Sequence, residues 1–134
     1  MSKVSKRVVI DVIGTFVLIA FIIALVLGQK NVKVGFVGNR VGNHMEAKFK
    51  YFDGKETDIE RFKEGSTVSF NYTINIAEGN LKLEIVDDED NIIAKSKDKA
   101  GELSFKVDKT QNYKINLIAD KSKGNYSITW DEKE

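Results

Sequence analysis

Residues 8–27, VVIDVIGTFVLIAFIIALVL, are an apolar run broken only by Asp11, Gly14 and Thr15. A helix of that length rises about 30 Å, the thickness of the hydrocarbon core of a bilayer. The first expectation is therefore one N-terminal transmembrane α-helix over residues 8–28. A cleaved signal usually has a shorter apolar stretch of about 7–15 residues. Retention as an anchor is expected, with cleavage after Gly28 as the alternative.

Residues 1–7 carry Lys3, Lys6 and Arg7 and no acid. The positive-inside rule keeps such an end in the cytoplasm and exports the remainder, as a single-pass protein of the cytoplasmic membrane. Asp11 is an ionisable group inside the apolar run, a position that by default marks a partner or an ion path. Arg7, four residues earlier on the same helical face, offers it an interfacial ion pair instead. Ala20, Ala24 and Gly28 fall at i, i+4 and i+8, a stripe of small residues where a second helix can approach closely. The lipid bilayer is the partner this segment implies.

Beyond residue 28 the chain is polar and punctuated by glycine. Residues 29–44, with Gly35, Gly38 and Gly42, read as a tether that forms an irregular arm or at most a short first strand. His44, the only histidine, is expected there as an exposed linker residue. From Met45 the period becomes two. Ala47, Phe49 and Tyr51 alternate with charged residues up to Asp53 and Gly54, and a weaker strand surrounds Ile59. Val68, Phe70, Tyr72, Ile74 and Ile76 then form one apolar row, with Ser69, Asn71, Thr73 and Asn75 on the opposite face. Further rows follow at Leu81, Leu83 and Ile85, at Leu103, Phe105 and Val107, at Tyr113, Ile115 and Leu117, and at Tyr126, Ile128 and Trp130. Turns are expected at residues 53–54, 78–80, 87–91 and 121–124. Strands at this spacing predict an all-β antiparallel sandwich, jelly-roll-like, of seven or eight strands over residues 45–131, with residues 132–134 as a frayed tail.

Of 21 Lys/Arg and 20 Asp/Glu, four and one precede Asn31, leaving 17 and 19 in the polar part. Charges so evenly mixed argue against a nucleic-acid surface. With no cysteine, disulfides, thiolate metal sites, cysteine nucleophiles and a lipoprotein anchor are all excluded. The densest oxygen cluster is the run Asp87, Asp88, Glu89, Asp90 and Asn91. Its spacing is not that of an EF-hand; Asp88 and Asp90 are the candidates should calcium bind, against the plainer reading of an acidic hairpin turn. Asp58 and Glu60 share a strand face, read as solvated. Tyr126 and Trp130 are assigned to the core. No nucleophile–base pair or phosphate-binding glycine loop is present, so neither an enzyme nor a cofactor is expected. Asn71 and Asn125 head N-glycosylation sequons on the expected outer face.

Four stretches, residues 62–70 (FKEGSTVSF), 79–85 (GNLKLEI), 112–117 (NYKINL) and 124–130 (GNYSITW), carry a resemblance. With them, residues 51–130 resemble the small sandwiches of the pre-peptidase C-terminal type and, more loosely, the GOLD domain. The resemblance implies an extracytoplasmic binding or accessory module rather than a catalytic one. The expected function is thus a membrane-anchored module that binds a protein or an envelope component. The alternative is an accessory subunit that assembles into a larger membrane complex through its helix.

Overall fold

The computed structural model describes residues 31–134. The apolar run, Asp11, Ala20, Ala24 and Gly28 lie outside the described residues, and so does the helix expected there. Asn31–Glu134 is a compact unit of its own, and none of its residues is helical. It contains seven strands: β1 (Val32–Val34), β2 (Val37–Val41), β3 (His44–Phe62), β4 (Thr67–Val86), β5 (Ile92–Lys95), β6 (Ala100–Lys106) and β7 (Gln111–Lys133). All their pairings are antiparallel.

Three of these strands are very long, and each bends once. β3 is irregular between Phe49 and Gly54, and β4 between Ile76 and Asn80. β7 meets both irregularities, with Ser122 opposite Phe52 and Asp120 opposite Asn80. The three bends thus lie side by side and form a single corner line across the sheet, the bulge-based corner by which strands pass from one packed layer to another. On one side of the line the order is β2, first half of β3, second half of β7, first half of β4, β6, with β1 on the edge of β3 nearest the corner. On the other side it is second half of β3, first half of β7, second half of β4, β5. The two sides face one another. Phe62, beyond the corner, has its ring centroid 6.1 Å from that of Phe70, before it, and Phe105 lies 5.8 Å from Tyr113.

The turns expected at residues 53–54, 78–80 and 121–124 are therefore corners within continuous strands. A hairpin turn and a corner draw on the same residues, because both need backbone conformations that glycine adopts without strain. Gly79, with φ of +74°, is such a position. The buried Ser122 donates its hydroxyl to the Phe52 carbonyl, 3.2 Å away, and so ties β7 to the irregular part of β3. The turn at residues 87–91 is a true hairpin between β4 and β5.

Both ends of the domain also differ from expectation. Residues 32–34 and 37–41 are strands paired to β3 rather than a tether. Residues 132–133 continue β7 beside Val68 and Thr67 instead of fraying. Glu132 is held there by the Ser66 hydroxyl and the Lys63 amide, each 2.7 Å from its carboxylate. The apolar rows read from the sequence form the core except at Tyr51, which the irregularity after Phe49 turns to the outer face while Phe52 takes the inward place. Phe52, Phe70, Leu83, Ile85, Ile115, Leu117 and Ile128 are fully buried. Tyr126 and Trp130 are buried with them.

Candidate interaction surfaces

Along one side of the sandwich, the second half of β3 is an edge strand whose inner face is acidic. Glu56, Asp58 and Glu60 stand in register with the core residues Leu117, Ile115 and Tyr113, and each is half-buried. Three carboxylates on an inward face require counter-charges. These come from β1 and β2 across the gap between the layers. Lys33 pairs with Glu56, and Arg40 pairs with Asp58 and, at 2.5 Å, with Glu60. Asp58 and Glu60 do share a face, as the sequence indicates, but that face is inward and salt-bridged rather than solvated.

Aromatic side chains complete this seam. The Lys33 ammonium lies 4.9 Å from the Phe36 ring centroid, and Phe36 packs at 5.5 Å on Phe52 and 5.9 Å on Phe49. Beside Arg40 a cleft of about 320 Å³ is lined by Phe36, Met45, Glu56, Asp58 and Tyr126. Burial, reinforced by the Glu56 and Asp58 carboxylates, pushes the Tyr126 phenol far above its ordinary range. The phenol therefore stays protonated at any physiological pH. Each of the three carboxylates is ion-paired, two of them sharing Arg40, and the pairs tie the two layers together.

His44 is not a linker residue but the first residue of β3. Its Nδ1 lies 2.8 Å from the Thr129 hydroxyl and its Nε2 3.3 Å from the Glu46 carboxylate.

In the acidic turn, Asp87 does the structural work. Its carboxylate accepts from the backbone amides of Glu89 and Asn91, both at 2.9 Å, and from the Asn91 side chain at 3.1 Å. These bonds, led by the one from Asn91, hold its pKa below the usual value despite some opposing desolvation. Asp90 adopts a φ of +63° and pairs with Lys114 at 2.8 Å. Asp88 donates its amide to Gln111. Among the described residues, no three histidine, aspartate or glutamate side chains gather to hold a metal ion.

On the far side of the sandwich, a groove of about 730 Å³ lies beside β4. Ile74, Ile76, Leu81 and Ile118 form its floor, and Lys97 and Lys99 stand among its walls.

The outer face of the first layer carries a polar ladder at its centre. Ser69, Asn71, Thr73 and Asn75 of β4 stand beside Asp131, Thr129, Ser127 and Asn125 of β7. The two ladders touch through Asn75 and Asn125 at 3.3 Å, and Ser69 reaches Ser104 of β6 at 3.2 Å. Asn71 and Asn125, which head the two sequons, are both exposed on this face. The β4 and β7 rows carry short amides and hydroxyls and no lysine, arginine or glutamate between residues 69–75 and 125–129. Periodicity in the sequence marked these positions as outward-facing; only the pairing of β4 with β7 joins them into one surface.

No protein-family model matches this chain, and none of the curated proteins does. Among solved structures, it is similar to Aeromonas hydrophila PliG, a periplasmic inhibitor of g-type lysozyme, with a TM-score of 0.49 and 9% identity over 72% of this chain and 89% of that one. It is similar to the same degree (TM-score 0.49) to the pre-peptidase C-terminal domain of a Bacillus anthracis collagenase, with 12% identity over 75% and 89% of the two chains. A CBM4 structure matches with a TM-score of 0.40 and 8% identity, over 75% of this chain and 78% of that one.

Proposed function

We propose that this jelly-roll-like sandwich is a non-catalytic interaction module, anchored by residues 8–28 and displayed outside the cytoplasmic membrane, where it binds a protein or an envelope component. The observation that carries the reading is the flat face of Asn71, Thr73, Asn75, Asn125, Ser127 and Thr129. Short side chains on a paired sheet lose little conformational entropy when a partner covers them. Their amides and hydroxyls supply both donors and acceptors at the regular spacing of the strands.

The test is recovery of cross-linked partners from membranes by the full chain. Thr73→Lys with Ser127→Lys, which places two long charged side chains in the middle of the face, is expected to abolish recovery. Replacing residues 8–27 by an unrelated apolar helix is expected to leave it intact. The opposite pattern would assign partner assembly to the Ala20, Ala24 and Gly28 stripe and make the chain an accessory subunit of a membrane complex.

A further inference from the structure

Seven large apolar side chains are exposed among the described residues, and four of them are the valines of β1 and β2: Val32, Val34, Val37 and Val41. The last two are 74% and 68% exposed. All four stand on the same outer face. Their partners on β3 are Asp53, Tyr51, Lys48 and His44, which alternate with the buried Met45, Ala47, Phe49 and Phe52. Isolated exposed valines are ordinary, whereas a group of four on adjoining edge segments marks a surface that is covered in use.

Two further observations say what covers it. Beside Val37 is a hollow of about 560 Å³, lined by Val37, Ala77 and Gly124 together with Lys48, Lys50 and Lys123. No acid lines this hollow, and none of the three lysines forms an ion pair with a described residue. The same region also carries Glu46, 3.3 Å from the His44 ring, Asp53, which accepts from the Tyr51 hydroxyl, and Glu78, which stands opposite Lys123 on β4 without forming an ion pair. The second observation is chain length. Only residues 28–31 separate the apolar run from β1. Five peptide steps span at most about 18 Å, so a chain anchored at residue 27 cannot carry Val32 farther than that from the hydrocarbon edge.

We propose that the valine face of β1 and β2, with Lys48, Lys50 and Lys123, is a lipid-surface site that rests on anionic phospholipid headgroups. The valines enter the interface and the lysines meet the phosphates, the combination of apolar burial and basic charge that holds a protein on an anionic membrane. This rests on the anchored reading above and adds to it a fixed orientation, with the β1–β2 edge against the bilayer.

The absence of cysteine makes a direct test available. Val37→Cys, Val41→Cys and, as a control on the opposite edge of the sheet, Ile92→Cys are each labelled with bimane in the full chain. The labelled chains are reconstituted in phosphatidylcholine vesicles with and without phosphatidylglycerol. Quenching by doxyl-labelled lipid is expected to be about twofold or more stronger at positions 37 and 41 than at 92, and to require phosphatidylglycerol. Lys48→Gln, Lys50→Gln and Lys123→Gln together are expected to remove that requirement along with the excess quenching. Equal quenching at 37, 41 and 92 overturns the proposal. So does protection of 37 and 41 from aqueous iodide without doxyl quenching, which would assign the face to a protein or to a second copy of the chain. Alkaline carbonate extraction of the same preparation tests the anchor separately. If the chain washes out, the anchor fails, and doxyl quenching after vesicles are added to the extracted chain still decides the face.

Discussion

Arg40 holds its guanidinium carbon 5.2 Å from the centre of the Trp130 ring while it pairs with Asp58 and Glu60. One side chain from β2 thus contacts the indole of the first layer and the acidic row of the second. The Trp130 Nε1–H is buried and has no acceptor among the described residues, so the ring's contribution is packing and its π face. Arg40→Ala is expected to lower stability by about 1–2 kcal/mol, the sum of a cation–π contact and a partly exposed double ion pair. Arg40→Lys should recover only part of that, because an ammonium lacks the planar fork that serves two carboxylates and an aromatic face together. Urea denaturation measures both, and the difference between wild type and Arg40→Ala should narrow at high salt.

Phe36 tests whether residues 32–41 belong to the domain. Its ring packs against Phe49 and Phe52, and Phe52 is fully buried. Phe36→Ala is expected to cost about 1–3 kcal/mol, below the value for a fully buried phenylalanine because Phe36 is itself only partly covered. A variant with unchanged stability would return these residues to the status of a tether. Slow amide exchange in β2 would place them in the sheet.

Two glycines separate backbone strain from steric contact. Gly65 (φ +87°) has nothing near the position a Cβ would take, whereas at Gly79 (φ +74°) that Cβ would meet the carbonyl oxygens of Asp120 and Lys121. Gly65→Ala is expected to cost about 1 kcal/mol, from conformation alone. Gly79→Ala should cost clearly more, because the corner of β4 must move away from β7. Thermal unfolding of the two variants gives the comparison.

The acidic turn predicts a pH dependence with a definite sign. Because the Asp87 pKa is lowered on folding from its ordinary 3.8, its contribution to stability is present above that value and is lost as pH falls through the lower folded value. Asp87→Ala should therefore lower Tm near neutrality, and the gap to wild type should shrink as the medium is acidified below 3.8. A gap independent of pH would mean that the hydrogen bonds of the carboxylate do not organise the turn.

The apolar rows of β3, β4 and β7 were legible because a half-buried strand alternates with period two. Those rows placed Phe70, Ile115, Ile128 and Trp130 in the core without reference to any neighbour. The seam was not legible. Asp58 and Glu60 look like any charged strand face, and nothing local distinguishes an inward carboxylate from a solvated one. Only Arg40, 18 and 20 residues away from them in the chain, makes their inward position tolerable. Residues 32–41 were misread for a related reason. Gly35 and Gly38 argue against regular structure, yet the open edge of β3 supplies the hydrogen bonds that their own propensity does not.

The sequence by itself determined that residues 45–131 build an all-β domain, which face of β4 and β7 is apolar, and where the chain needs glycine, asparagine or aspartate to change direction. Side-chain alternation and backbone permissiveness are local properties, written within a few residues. The tertiary structure decided which of those changes of direction are hairpins and which are corners, that the edge of β3 recruits β1 and β2, and that the polar rows of β4 and β7 merge into one face. Each of those outcomes depends on which strand lies alongside, and apart from the β2–β3 and β4–β5 hairpins the partners are far apart in the chain, where local patterning does not connect them.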